Sequence, residues 1–333
     1  MVGKDPKGDR GAVALKMPKI VAVVGPTASG KTALAIAIAR RFDGEIVSAD
    51  SRQVYRGMDI GTAKPTRTEM RAAPHHLIDI KNPDEEYAVA EYKEDALLAI
   101  RDILARKKLP IVIGGTGLYV KAVLENLDIP KIKANPALRE RLEREIKERG
   151  LPAVFDKLVA LDPEAAYVVD PKNPRRIVRA LEVALTTGIP FTAQRKKNEP
   201  LFDALVIGLN PPPDILRKRI DARVDRMVRD GLVKETEQLV KKYGADCQAL
   251  DAIGYREIID YLQKKHSLPE TVALIKTNTW HYAKRQLTWF RKDKTVRWMR
   301  GKSKTFAAIK KWLGDPRAPH RPGATSSAAR KVP

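Results

Sequence analysis

Short apolar runs recur through the first part of the chain, each followed by a glycine-containing or charged break and then a longer stretch with helical spacing. The runs at 19–24, 44–50, 74–80 and 109–113 read as strands, and the segments from Ala33, over 87–107 and from Leu118 read as helices. Strands alternating with helices of this length predict a parallel sheet covered on both faces. Near Pro130 the pattern becomes wholly helical, with helices expected at 136–149, 152–161 and 174–187, the last stopped by Gly188. Strand composition returns at 204–209, and further helices follow from Pro213, from Val233 and over 269–292. The expected organisation is an extension at 1–17, an α/β core at 18–130 and 200–299, a helical insertion at 131–199, and a disordered tail at 300–333.

The first break carries chemistry. Gly25-Pro26-Thr27-Ala28-Ser29-Gly30-Lys31-Thr32 lies between a strand and a helix, the context in which G-x-x-x-x-G-K-T forms a phosphate-binding loop. Its backbone N–H groups can curl around an anion at the helix N-terminus. Lys31 is placed to reach the terminal phosphate and the Thr32 hydroxyl to ligate Mg²⁺. The fold is therefore expected to be a P-loop NTPase-like sheet core with a helical insertion and C-terminal helices. Nucleotide hydrolases and kinases of this fold usually hold Mg²⁺ with an acid at the end of a central strand. Here the central strand ends in Gly114-Gly115-Thr116, and the acid near the loop is Asp50, at the end of the neighbouring strand. Asp50 is read as a base or a water-mediated metal partner, in a site shaped with Thr32 and Thr116.

Composition adds one strong signal. Hydrophobic content of 43% and charged content of 31% are ordinary, but 63 Lys+Arg against 41 Asp+Glu leave a net charge of +22, which points to a polyanionic partner such as nucleic acid. Three groupings gather cations as RNA surfaces do, the last two with aromatics among them: Arg175-Arg176-Ile177-Val178-Arg179, Gly254-Tyr255-Arg256, and the helix carrying Lys284, Arg285, Gln286, Trp289 and Arg291. No run reaches the ~18 apolar residues of a membrane span, so no membrane partner is expected. Cys247 is the only cysteine, which excludes an intramolecular disulfide and fits a cytoplasmic setting. The adjacent His75 and His76 point to opposite faces of a strand and are read as structural or pocket-wall residues. The final stretch from Arg300 carries nine Lys/Arg against one Asp.

Seven blocks together, at 25–32, 48–55, 74–79, 114–119, 175–182, 253–257 and 284–291, resemble the bacterial tRNA dimethylallyltransferase family, in order from about Lys19 to Trp298. The resemblance implies transfer of a dimethylallyl group from dimethylallyl diphosphate to N6 of adenosine 37, in tRNAs reading codons that begin with U. It implies that the phosphate loop, Gly25 to Thr32, holds a diphosphate leaving group with Mg²⁺, that Asp50 is the general base, and that Thr116 lies against the substrate. It places tRNA contacts at Asp50, Ser51, Arg52, Gln53, Thr116, Arg139, Arg175, Arg176, Ile177, Val178, Arg179, Gly254, Tyr255, Arg256, Lys284, Arg285, Gln286, Trp289 and Arg291. Arg175 stands where the family often has Gln. The partners implied are the tRNA anticodon stem-loop and dimethylallyl diphosphate, with the enzyme a monomer. A transferase acting on free AMP, ADP or ATP shares the core chemistry, and a small-molecule kinase could use the same loop. The charge and the Gly-Gly-Thr strand end count against these two respectively.

Overall fold

A computed structural model of the chain describes residues 17–130, 132, 135–194 and 198–314. In chain order the elements are β1 (Lys19–Val24), α1 (Lys31–Arg41), β2 (Gly44–Ser48), α2 (Arg67–Ala72), β3 (His75–His76), α3 (Val89–Ala105), β4 (Leu109–Gly114) and α4 (Gly117–Leu124). Then come α5 (Pro136–Arg149), α6 (Leu151–Leu161), α7 (Ala165–Val168), α8 (Pro174–Thr187) and β5 (Asp203–Gly208). The remainder is α9 (Pro213–Arg229), α10 (Leu232–Tyr243), a 3₁₀ turn (Gln248–Leu250), α11 (Tyr255–Leu262), α12 (Leu268–Arg291), β6 (Arg297–Trp298) and α13 (Lys302–Gly314).

The strands form one sheet in the order β3-β2-β4-β1-β5-β6, with every pairing parallel, as the alternation of strands and helices predicts. Alternation within β1 explains the two layers around it. Ile20, Ala22 and Val24 pack with Tyr92, Ala96 and Ile100 of α3 and Val120 of α4. Val21 and Val23 pack on the other face with Leu34, Ala35 and Ile38 of α1. Central strands buried on both faces need the near-continuous apolar composition seen in β1 and β4.

α5 to α8 bury a core of their own around Leu142, Leu158, Ile177 and Leu181. Two of these helices start alike: Asn135 caps α5 by accepting from Leu138 N–H at 3.1 Å, and Asn173 caps α8 by accepting from Arg176 N–H at 3.2 Å. A proline follows each cap, where its missing N–H costs nothing. Gly188 ends α8 in the left-handed conformation, as expected.

The structure corrects two elements. The strand read at 74–80 pairs only at His75–His76, because Leu77 and Asp79 take left-handed backbone angles of 63° and 56° that break the ladder. The tail read as disordered from 300 contains α13. Thr305, Ile309 and Trp312, spaced i, i+4, i+7, are buried on the α1 face of the sheet, while the lysines point outward. Burying side chains of the size of Ile309 and Trp312 contributes about 2–3 kcal/mol each, enough to hold a basic segment in place. The Trp312 indole also donates to Asp203 at 3.3 Å, and Phe306 meets Phe42 edge-on at 5.9 Å. The rest of that tail and the extension before Met17 lie outside the described residues. Among the described residues no helix is long and apolar enough to cross a membrane.

Candidate active site

Because β4 lies between β1 and β2, the loops leaving the C-terminal ends of these three strands are neighbours. This is the crevice position for ligands in open parallel sheets. β1 delivers the phosphate loop, β2 delivers Asp50 to Gln53, and β4 delivers Gly115 and Thr116.

In the phosphate loop Gly30 has φ of 93°, a left-handed turn that aims the first N–H groups of α1 toward the loop's hollow. Lys31 Nζ donates to Pro26 O at 2.7 Å, bending back over the loop. Burial pushes its ammonium down to about 7; the Asp50 charge opposes that shift and Arg223 adds to it. Ser29 Oγ is buried and has no hydrogen-bond partner among the described residues. α9 brings two more cations: Arg223 donates to Thr27 Oγ1 at 3.4 Å and Arg219 to Ser29 O at 3.5 Å. Burial lowers the Arg223 guanidinium and Arg226 lowers it further, so both Lys31 and Arg223 sit where an anion would relieve them. Neither arginine was expected from the sequence.

On the next loop, Asp50 Oδ1 accepts from Arg52 N–H at 2.9 Å. Its other oxygen has no hydrogen bond among the described residues. Thr116 Oγ1 accepts from Ser51 N–H at 3.2 Å and reaches Ser51 Oγ at 3.4 Å, tying the β4 loop to the β2 loop. Gln53 Nε2 donates to Thr62 O and Ala63 O at 3.3 and 3.4 Å, which leaves its carbonyl oxygen for a ligand. Tyr282 of α12 lies close to Asp50 and Thr116; burial and the Asp50 charge push its phenol up to about 12, so it stays protonated. Tyr282 was missed as an individual residue. Its signal was the i, i+4 spacing to Gln286, which reaches the same loop.

Several residues expected at an RNA surface are used inside the protein. Ile177 and Val178 are buried in the core of α5 to α8, since the same helical spacing that gathers arginines on one face turns these two inward. Tyr255 is fully buried and donates to Glu235 at 2.6 Å. Gln286 is buried, with both ends of its amide engaged. Arg139 and Arg179 both serve the buried Glu182, Arg139 through two bonds of 2.9 Å and Arg179 through one of 2.6 Å. Arg52 donates to carbonyls of Ala249 and Asp251 at 3.1 and 3.4 Å. Gly254 is buried, its N–H donating to Glu257, whereas Arg256 beside it is exposed and pairs with Asp251 and Glu257. Arg175, Arg176, Lys284, Arg285, Trp289 and Arg291 remain exposed, Arg175 with a bond to Asp251 at 3.2 Å. His76 pairs with Glu45 at 2.8 Å and His75 with Ala73 O at 2.8 Å, both structural uses.

Fold and site together define a P-loop α/β protein that sets an anion-binding loop against a carboxylate, with no acid ending its central strand. The model of the IPP transferase family matches residues 53–293. The chain is 46% identical over 283 residues to the tRNA dimethylallyltransferase of Halalkalibacterium halodurans, covering 84% of this chain and 90% of that protein. Its fold is similar to the crystal structure of the full-length tRNA isopentenylpyrophosphate transferase of Bacillus halodurans, with TM-score 0.66, 43% identity, and 89% and 95% of the two chains covered. It is also similar to a eukaryotic dimethylallyltransferase solved acting on tRNA, with TM-score 0.75, 28% identity, and 89% and 79% covered. The chain belongs to the IPP transferase family.

Proposed function

We propose that the protein transfers a dimethylallyl group from dimethylallyl diphosphate to N6 of adenosine 37 in tRNAs reading codons that begin with U, releasing diphosphate. The observation that carries this reading is the pairing of an anion-seeking loop with a neighbouring carboxylate. Lys31 and Arg223 are held partly desolvated at the loop, and Asp50 is near enough for its charge to act on Lys31.

The chemistry needs both. As the allylic C1–O bond breaks, its electron pair goes to diphosphate, where the loop amides, Lys31 and Arg223 stabilise the new charge. The Ser29 hydroxyl, buried and without a partner among the described residues, is one further donor for that anion. N6 attacks C1, and its proton passes to the free oxygen of Asp50. Thr116 and Gln53 orient the adenine, which must leave the anticodon-loop stack to enter the crevice. The donor set also fits Mg²⁺. Thr32 on the first turn of α1 offers a hard oxygen ligand, and among the described residues no cluster of His, Cys or carboxylates competes to hold a metal outright. Mg²⁺ bound by Thr32 and diphosphate oxygens would supply further neutralisation of the leaving group. Exposed Arg175, Arg176, Lys284, Arg285 and Arg291 supply phosphate contacts, and Trp289 a stacking surface. The enzyme works as a monomer in the cytoplasm.

Incubation with labelled dimethylallyl diphosphate, Mg²⁺ and unmodified tRNA, AMP or ATP tests this directly. Label on tRNA adenosine is expected. Label on AMP alone would move the function to free-nucleotide prenylation, and ATP consumption without label transfer would restore the kinase reading.

A further inference from the structure

Gln286 joins the two halves of this site. Its Oε1 accepts from Thr27 N–H in the phosphate loop at 2.8 Å, and its Nε2 donates to Gly115 O in the β4 loop at 3.0 Å. The side chain is buried, and the bond to Gly115 lies wholly inside the protein while that to Thr27 is partly buried. A carboxamide is planar and polarised, and its two ends match the N–H on one loop and the C=O on the other. Among the described residues no other side chain is hydrogen-bonded to both loops. The surroundings are shaped around it: a Cβ at Gly115 would lie 2.1 Å from Gln286 Nε2, and one at Gly117 would lie 2.1 Å from Trp289 Nε1. Tyr282, Gln286 and Trp289, at i, i+4 and i+7, are one stripe of α12 seated along the loop at 115–117.

We propose that Gln286 is a positioning residue that fixes the diphosphate loop relative to the acceptor loop, so that the departing allyl group is captured by adenine rather than by water. The inference rests on the transfer reading above. Transfer requires N6 to stand close to C1 and opposite the breaking C1–O bond, and a shift of about 1 Å in such an arrangement can cost about 10²-fold in rate. The diphosphate is held by the loop containing Thr27, and the adenine lies against the loop containing Thr116, one residue from Gly115. Cutting the bridge leaves each half-site intact but frees their separation. Donor that ionises without an aligned acceptor then meets water. The water oxygen bonds to C1, the C1–O electron pair leaves with diphosphate, and the proton goes to solvent, giving dimethylallyl alcohol.

The test compares Gln286→Met, which keeps the volume and removes the amide, with Gly115→Ala, which pushes the amide away from the other side. Each variant and the wild type are incubated with labelled dimethylallyl diphosphate, Mg²⁺ and unmodified tRNA, and label is counted separately in alcohol and in tRNA. The ratio of alcohol to tRNA product is expected to rise about tenfold or more in both variants, with tRNA affinity unchanged. An unchanged ratio, with both products falling together, would overturn the proposal. So would loss of folding in both variants, which would make the bridge structural. A wild type that labels no tRNA would refute the transfer reading itself, a separate outcome.

Discussion

Two groups of arginines look alike in the sequence and are used oppositely. In the helical insertion, Arg139 and Arg179 close on Glu182, which is fully buried. Burial alone would raise that carboxyl, but the hydrogen bonds from Arg139, Asn135 N–H and Arg179 outweigh it and hold it below its ordinary range. In the core, Arg219 and Arg223 are hydrogen-bonded, among the described residues, to a carbonyl and a hydroxyl of the phosphate loop. Among the described residues no carboxylate is hydrogen-bonded to either, and burial and Arg226 lower Arg223 against the weaker opposing charge of Glu69. A cation beside a buried acid holds the fold, whereas a cation beside a bare loop of amides is available to a ligand. Charge clusters acquire a function only once their nearest acid is known.

The comparison can be sharpened by substitution. The largest effect is expected in the core, where Asp50→Ala should lower kcat by about 10²–10⁴-fold while single-turnover binding assays return near-normal tRNA and donor affinity. An equal loss of binding and turnover would remove the general-base role. In the insertion, Arg139→Ala should cost about 1–3 kcal/mol of stability by denaturant melting, because Glu182 loses one of its two arginines and Arg139 is itself partly solvated. Glu182→Gln added to that variant should recover part of the loss; no recovery would show that Arg139 acts through something else. The smallest effect belongs to the exposed cations. Arg175→Ala with Arg176→Ala should reduce the slope of log K against log salt for tRNA by about 0.7–0.9 per lost contact, with diphosphate affinity unchanged. An unaltered slope would place the tRNA elsewhere.

The parts legible in the sequence were those governed by local chemistry. The phosphate loop declared itself through Gly30, Lys31 and Thr32, and the helices of the insertion through Asn-Pro starts at 135–136 and 173–174. The parallel sheet followed from apolar runs alternating with helices. What stayed hidden depended on tertiary contacts. Arg219 and Arg223 sit on an amphipathic helix whose charged positions read as an ordinary solvated face. Nothing in the spacing around Glu182 marked it as an acid that folding would bury. α13 was concealed by its lysines, since Thr305, Ile309 and Trp312 show a helical stripe too short to outweigh the basic composition around it. Gln286 lay inside a basic motif, and its burial and its bonds to Thr27 and Gly115 show that it faces inward.

The claim that the core's cations await the donor's diphosphate is tested most directly at Lys31. With a free-protein value of about 7, Lys31 is mostly neutral at pH 8 and should regain its proton when diphosphate binds. The sign follows: the Lys31 contribution to diphosphate affinity weakens as pH rises through about 7, because binding must then return a proton to the amine. Titration calorimetry with inorganic diphosphate at pH 8, in two buffers of different ionisation enthalpy, reads that proton, and Lys31→Arg supplies the permanently charged reference. The account predicts a clear net proton uptake relative to Lys31→Arg. Equal proton exchange in the two proteins would contradict it, and would mean that Lys31 is charged before the ligand arrives or never meets it.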